Sequence, residues 1–137
     1  MSYTIDTSVW VSAFLIGEPF HERSKAFLAE VIRSGQEVVI PTTVYLEVVM
    51  AIGRRERKAE AQDQIAEYLL AMPDAQFVEI HYSRMLAIVR ETSKLGLRGM
   101  DAILVGVAKE FDAELVTLDA ELAERARVLV NVKKLER

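Results

Sequence analysis

The fold of this chain is decided by Leu97-Arg98-Gly99-Met100-Asp101-Ala102-Ile103-Leu104-Val105-Gly106-Val107-Ala108. From Met100 to Ala108 every residue except Asp101 is apolar or glycine, which is typical of a helix buried on all sides. An ionised carboxylate in such a helix is costly unless it has a raised pKa, a cationic partner, a helix N-terminus or a metal ion. The carboxylate in the first turn of this helix therefore needs a specific explanation.

Three other carboxylates also stand alone in apolar surroundings. Asp6 follows Tyr3-Thr4-Ile5, Asp119 follows Leu115-Val116-Thr117-Leu118, and Glu47 interrupts the apolar run from Val44 to Ile52. Each of these segments is predicted to be a buried strand or helix. Four solitary acids in buried segments can share one site.

Length and composition describe one globular domain over residues 1–137. The chain is 51% hydrophobic and 28% charged, and it has no cysteine, which excludes disulfides and thiolate metal sites. Carboxylates and two histidines remain as ligands, and they favour a hard cation if any metal binds. The net charge of −4 counts against a nucleic-acid partner, but the four solitary acids account for all of that excess.

The N-terminus opens into a strand-like run without a basic region or cleavage signal. No apolar stretch reaches the roughly 18 to 20 residues that a membrane span requires. We therefore expect a cytoplasmic protein without a membrane partner.

Strand-like and helical segments alternate along the chain. This order predicts an α/β fold, a three-layer α/β/α arrangement with a mostly parallel sheet of four to five strands. Ligands collect at the carboxyl ends of such strands, where Asp6 and Asp119 are predicted to lie. The expected strands are 3–5, 37–40, 77–80, 115–118 and 128–132; the expected helices are 9–15, 20–34, 41–53, 59–72, 82–95, the Asp101 helix and 119–125.

Four motifs, taken in their order along the chain, resemble those of the PIN-domain nucleases. They are Ile5-Asp6-Thr7-Ser8-Val9, Glu47 in the helix after a hydrophobic strand, Arg98-x-x-Asp101-Ala102 and Leu115-Val116-Thr117-Leu118-Asp119. The compact single domain is similar to the VapC-type toxins of toxin–antitoxin pairs, and the match covers essentially the whole chain. Many members carry another acid or an aromatic directly after the last Asp, whereas this chain has Ala120-Glu121-Leu122.

The resemblance implies a metal-dependent endoribonuclease whose acidic quartet is Asp6, Glu47, Asp101 and Asp119. It also implies that Thr117 orders the site, and Thr7 or Ser8 would do the same beside Asp6. One or two Mg²⁺ or Mn²⁺ ions activate water and neutralise charge in phosphodiester hydrolysis. We expect Asp6 and Asp101 to bind metal directly, with Asp119 and Glu47 completing a second position or holding metal-bound waters, and at least one of these acids to have a raised pKa.

The implied partners are an RNA substrate, a small antitoxin whose segment occupies the acidic groove, and a second copy of the chain in a homodimer. A basic cluster after the Glu47 helix is a candidate for tracking an RNA backbone, but it is equally well explained as the solvated end of a helix. The candidate RNA-binding residues are Arg54, Arg55, Arg57, Lys58 and Arg98.

Each acid also has an ordinary explanation. Asp6 and Asp119 are suitable helix N-caps, Asp101 suits a helix N-terminus or a pair with Arg98, and Glu47 suits a buried pair with an arginine. His21 and His81 are expected at the surface or at helix starts, because neither has a second histidine at ligand spacing.

Three other functions compete with a nuclease. A haloacid-dehalogenase-type phosphatase needs a second Asp two residues after the first, where this chain has Ser8. A nucleotide-binding Rossmann domain needs a Gly-rich turn that does not follow the first strand. The main alternative is a catalytically silent PIN-like module that binds RNA or protein.

Overall fold

The computed structural model describes residues 1–136, in which strands and helices alternate as expected. The strands are β1 (Ser2–Ile5), β2 (Glu37–Pro41), β3 (Ala75–Val78), β4 (Glu114–Thr117) and β5 (Val132–Lys134). The helices are α1 (Thr7–Phe14), α2 (His21–Ser34), α3 (Thr42–Glu56), α4 (Ala59–Leu70), α5 (Tyr82–Thr92), α6 (Gly99–Glu110) and α7 (Ala120–Ala126).

All strand pairs of the five-stranded sheet are parallel, in the order β3-β2-β1-β4-β5. The chain steps from β1 through β2 to β3 towards one edge and then through β4 to β5 towards the other. Right-handed crossovers therefore place α1 to α4 on one face and α5 to α7 on the opposite face. The predicted three-layer α/β/α architecture with a parallel sheet is confirmed.

The hydrophobic core lies on both faces of the central strands. Helix α6 contacts β1, β2 and β4, and its residues from Ile103 to Ala108 are buried, as the apolar run predicted. On the other face Trp10 is fully buried, and its indole Nε1 donates to the carbonyl of Ile5 at 3.2 Å. The two carboxyl-end segments after β1 and β4 are thus held on a rigid base.

Several predicted boundaries are wrong. The last strand begins at Val132, not at Val128, because backbone hydrogen bonds from Leu129 and Val130 to the Ala126 carbonyl turn the chain there and leave Val128 exposed. Helix α3 continues to Glu56, beyond the predicted end near residue 53. The ends of the other elements differ from the predicted ends by three residues or fewer, apart from the start of the Asp101 helix, for which no bound was predicted.

The surroundings of Glu47 are also less buried than predicted. Leu46 and Met50, which flank it on α3, are 57% and 46% exposed. His21 does begin a helix, as expected, but it is buried, with its Nδ1 at 2.9 Å from the carbonyl of Ser12. In the part of the chain that the structure describes, no helix combines the length and the hydropathy needed to cross a membrane.

Candidate active site

Two neighbouring parallel strands bring the first and last candidate acids to one edge of the sheet. Ile5 of β1 lies beside Val116 of β4, and the amide of Asp6 donates to the carbonyl of Val116 at 2.8 Å. Asp6 therefore follows directly after the end of β1 and Asp119 lies two residues after the end of the neighbouring β4, although 113 positions separate them in the numbering. This is the strand-end placement that the sequence predicted.

Asp6 is buried and is held by two hydroxyl groups. Thr117 Oγ1 donates to its Oδ2 at 2.8 Å, and Ser8 Oγ donates to the same oxygen at 2.9 Å. Burial raises the pKa of Asp6, the hydroxyl hydrogen bonds of Thr117 and Ser8 oppose that rise, and the charge of Asp119 adds to it. Both of these hydrogen bonds go to Oδ2, so Oδ1 is the oxygen without a hydroxyl partner.

Thr117 connects the two acid-bearing strand ends. Its side chain is fully buried, and its Oγ1 accepts a hydrogen bond from the amide of Asp119 at 3.0 Å while donating to Asp6. One hydroxyl group thus sets the position of the Asp6 carboxylate relative to the Asp119 backbone. That arrangement suits the ordering role that the resemblance implies for Thr117.

Asp119 caps helix α7, as its ordinary explanation proposed. Its Oδ1 accepts from the amides of Glu121 at 2.9 Å and Leu122 at 3.2 Å. The residue itself is exposed, although Leu115, Val116 and Thr117 of the segment before it are buried, as expected. Capping occupies one carboxylate oxygen, so the residue can cap α7 and still present the other oxygen to a ligand.

Asp101 lies in the first turn of α6, partly buried and within electrostatic reach of the other three acids. Burial raises its pKa most strongly, the charges of Asp6, Asp119 and Glu47 raise it further, and Arg98 lowers it. Arg98 therefore acts on Asp101 through space, and among residues 1–136 the two side chains form no ion pair. The expected raised pKa is found, with burial as its largest cause and repulsion between the acids second.

Glu47 is positioned by the residue next to Asp6. Thr7 Oγ1 donates to Glu47 Oε1 at 2.8 Å, which connects the start of α1 to the middle of α3. Of the two residues, Thr7 and Ser8, that the resemblance offered beside Asp6, it is Ser8 that donates to Asp6. The alternative of a buried Glu47–arginine pair is not what the structure shows, because the carboxylate is paired with a hydroxyl.

The arrangement supplies oxygen ligands but not a closed metal cage. Within residues 1–136, no three His, Cys, Asp or Glu side chains form a group that could hold a metal ion. Mg²⁺ is usually bound through only one or two carboxylates together with waters and substrate phosphates, and the donor set here is carboxylate and hydroxyl oxygen. The residues present therefore fit Mg²⁺ or Mn²⁺ by chemistry, and the metal assignment stays a prediction.

Two sets of basic residues lie at different distances from the acids. Arg98 shares an open cleft with Asp101 and Asp119, and Arg125, which sequence reasoning did not single out, lines the same cleft. The cluster at 54–58 lies at and just beyond the end of α3, about 12 Å along the helix from Glu47, at 1.5 Å per residue. Arg55 of that cluster is paired with Glu18 at 2.9 Å.

Comparisons with known proteins agree with this architecture. The family model for the PIN domain matches residues 3–128. A search of curated proteins finds no match.

Among solved structures, the chain is similar to VapBC2 from Rickettsia felis, crystallised with a DNA fragment from its promoter, with 14% identity and a TM-score of 0.76 over 99% of this chain and 100% of that chain. It is similar to VapC20 from Mycobacterium tuberculosis, a toxin that cleaves the sarcin-ricin loop, with 16% identity and a TM-score of 0.73 over 89% of this chain and 93% of that chain. It is also similar to FitAcB from Neisseria gonorrhoeae, with 16% identity and a TM-score of 0.67 over 95% of each chain. At such identities the likeness concerns the fold.

Proposed function

The chain belongs to the PIN domain family, and from this premise we propose that it is a metal-dependent endoribonuclease, the toxin of a toxin–antitoxin pair. One observation carries the proposal. Asp6, Asp119 and Glu47, from three separate elements, all lie within electrostatic reach of Asp101 at the start of α6, and within residues 1–136 none of the four acids forms an ion pair with a cationic side chain. Negative charge concentrated in this way favours a divalent cation.

In the proposed reaction Asp6 and Asp101 would bind Mg²⁺ or Mn²⁺, and Asp119 and Glu47 would complete a second position or hold water molecules of the ion. The bound metal supplies an activated water and neutralises the charge that builds on the phosphate. The protein's own contribution is orientation: Ser8 and Thr117 hold the Asp6 carboxylate, and Thr7 holds that of Glu47.

Arg98 is the better placed of the candidate RNA-binding residues. It is exposed in the acidic cleft, and in the described part of the chain its guanidinium makes neither a hydrogen bond nor an ion pair, so it is free to bind a phosphate. The cluster of Arg54, Arg55, Arg57 and Lys58 lies further from the acids and would contact only a longer RNA. Charge reversal there that left RNA affinity and its salt dependence unchanged would remove it from the binding surface.

Cleavage of RNA is the direct test. We expect the wild-type protein to cut single-stranded or looped RNA with Mg²⁺ or Mn²⁺ and to be inactive in chelator. The variant Asp101→Asn should lose at least about 100-fold in cleavage rate, since even residues behind the metal ligands contribute 10- to 100-fold. Glu124→Gln, an exposed acid on α7, is the matched control and should cut normally.

The alternative is a catalytically silent PIN-like module, and the lack of a ready three-ligand metal group among residues 1–136 is the observation in its favour. Such a module would bind RNA or protein with the same affinity in chelator as in Mg²⁺ and would cut nothing. Full cleavage activity in chelator would contradict both functions.

For partners we propose RNA as substrate and an antitoxin protein as inhibitor, acting in the cytoplasm. The similarity in fold to VapBC2 and FitAcB supports the antitoxin, whose segment would occupy the acidic cleft. A cationic side chain there would satisfy the same carboxylates as a metal. A short reading frame for a DNA-binding protein directly upstream would support this assignment, and loss of RNA cleavage on adding its product would test it.

We also propose a homodimer, supported by an uncovered apolar stripe on α5. The exposed fraction is 79% for Tyr82, 38% for Met85, 46% for Leu86 and 58% for Val89. The spacing of these residues places them on one face of the helix. Light scattering should give the mass of two chains for the wild type and of one chain for Val89→Glu. A monomeric wild type would contradict the proposal.

A further inference from the structure

Arg125 of α7 is bonded to the loop that precedes the Asp101 helix. Its Nη1 lies 2.7 Å from the carbonyl oxygen of Gly96 and 3.5 Å from that of Leu95, and its Nη2 lies 2.7 Å from Glu121 Oε1. The ion pair with Glu121 alone would contribute little, because both side chains are substantially exposed. The contact with the loop carbonyls is the part that joins two separate elements.

The loop before α6 approaches the Arg125 guanidinium closely at Gly96. Gly96 has a φ of 67°, in the left-handed region that favours glycine. A Cβ atom added at Gly96 would also collide with the Arg125 guanidinium. The left-handed backbone turn therefore favours glycine at this position, and a side chain there would displace the Arg125 guanidinium from its contact.

This contact lies between two of the candidate acids. On one side, the amide of Glu121 donates to Asp119 Oδ1. Glu121, the ion-pair partner of Arg125, therefore belongs to the first turn of α7, which Asp119 caps. On the other side, Arg98 and Asp101 follow Gly96 by two and five residues. Gly96, Arg98, Asp101, Asp119 and Arg125 all line the same cleft.

We propose that Arg125 is a positioning residue that fixes the loop 95–98 against α7 and so presents the Arg98 guanidinium to an RNA phosphate. The proposal rests on the proposed nuclease function and adds to it separate roles for Arg125 and Arg98. Arg125 is occupied with protein carbonyls and Glu121, whereas Arg98 has no such partner among residues 1–136 and is the group that binds the phosphate.

The positioning half is tested without RNA, by hydrogen exchange of the free protein. We expect the Leu95 and Ala102 amides, which donate to the carbonyls of Thr92 and Arg98, to exchange at least about tenfold faster in Arg125→Gln and in Gly96→Ala than in the wild type, with the other amides unchanged. Arg125→Lys should restore part of the protection, since an ammonium reaches one carbonyl. The control Arg127→Gln, an exposed arginine just after α7, should match the wild type. Unchanged exchange in Arg125→Gln would overturn the proposal.

The predicted phosphate contact of Arg98 is tested by RNA binding. Fluorescence anisotropy of a labelled single-stranded RNA is measured in Ca²⁺, and a gel verifies that the RNA stays intact. We expect Arg98→Gln to weaken binding roughly 10-fold and to lower the slope of log K against log salt by about 0.7, the loss of one phosphate contact. Arg125→Gln should weaken binding as well, and the double variant should bind no worse than Arg98→Gln alone.

Additive effects in the double variant would show that Arg125 binds RNA itself and would overturn its positioning role. Normal RNA binding by Arg98→Gln would overturn the phosphate contact while leaving the nuclease function intact. A wild-type protein that neither binds nor cuts RNA would instead contradict the proposed function, and the exchange measurement would still decide whether Arg125 holds the loop.

Discussion

At the scale of single residues, the site depends on three hydroxyl groups that each serve one carboxylate. Ser8 and Thr117 donate to Asp6, and Thr7 donates to Glu47. The positions of the acids could be predicted because a lone charge in an apolar run is conspicuous. An ordering role for Thr117, and for Thr7 or Ser8, was implied only by the family resemblance. Which of Thr7 and Ser8 binds Asp6 could not be predicted, because consecutive helical residues point about 100° apart and so face different elements once the chain folds.

Substitution of Thr117 by valine is expected to damage the site more than its small change in shape indicates. The variant removes one of the two hydroxyl groups that donate to the buried Asp6 carboxylate and leaves the Asp119 amide without its Thr117 partner. This loss costs about 1–3 kcal/mol in the free energy of unfolding, and metal-dependent cleavage should fall 10- to 100-fold. Thr117→Ser keeps the hydroxyl group and should retain most of the activity. Chemical denaturation and initial cleavage rates measure the two effects, and equal loss in Val and Ser variants would contradict this role.

The raised pKa of Asp101 leads to a pH-dependent prediction. Since the folded protein holds this proton more tightly than the unfolded chain, the wild type loses stability as pH rises from about the ordinary value of 3.8 through the folded pKa. In chelator, Asp101→Asn should therefore melt at a higher temperature than the wild type at pH 7.

The difference in melting temperature between these two proteins should shrink as the pH is lowered and disappear once Asp101 is protonated in both states. Glu124→Gln should show no such trend. A melting temperature for Asp101→Asn well below that of the wild type at pH 7 would mean that the carboxylate stabilises the fold and serves a structural role.

At the scale of elements, hydrophobic patterns predicted the existence and order of strands and helices better than their ends. Helix α6 is buried from Ile103 to Ala108, as its apolar run indicated, because this part packs against both the sheet and α5. The apolar run after α7 was misleading: Val128 lies in a turn and is 77% exposed, and the strand begins four residues later. An apolar run that follows a helix does not by itself distinguish a strand from the turn that precedes the strand.

The packing of α5 on α6 gives a prediction about stability. A Cβ atom at Gly106 would lie 2.6 Å from Ile88 Cγ1, so Gly106→Ala should destabilise the protein by roughly 1–3 kcal/mol through overpacking. The double variant with Ile88→Ala removes the obstructing atoms and should cost less than the sum of the two single variants, as measured by urea unfolding. Additive losses would mean that α5 moves away freely and that the close contact is unimportant.

At the scale of the whole molecule, parallel topology explains how residues so far apart in sequence meet. The alternation of strands and helices predicted the sheet, and the sheet predicted that Asp6 and Asp119 would share an edge. The sequence did not reveal the contact from Arg125 to Gly96, because neither residue belongs to a hydrophobic pattern and the contact depends on how α7 lies beside a loop. Strand order predicts which residues, distant in sequence, share an edge of the sheet. It does not predict polar contacts between loops and helices.

The concentration of negative charge at one edge of the sheet predicts how the whole protein responds to divalent cations. Binding of Mn²⁺ or Mg²⁺ to the folded state alone stabilises it by about 2.7 kcal/mol at 100 times the dissociation constant, which raises the melting temperature by roughly 10 °C in a domain of this size. The rise should be absent in Asp6→Asn and Asp101→Asn and present in Glu124→Gln. Sodium chloride at matched ionic strength separates binding from screening, because screening weakens repulsion between the acids without occupying the site. An equal rise with sodium chloride, or an undiminished rise in both Asn variants, would show that these carboxylates do not hold the ion.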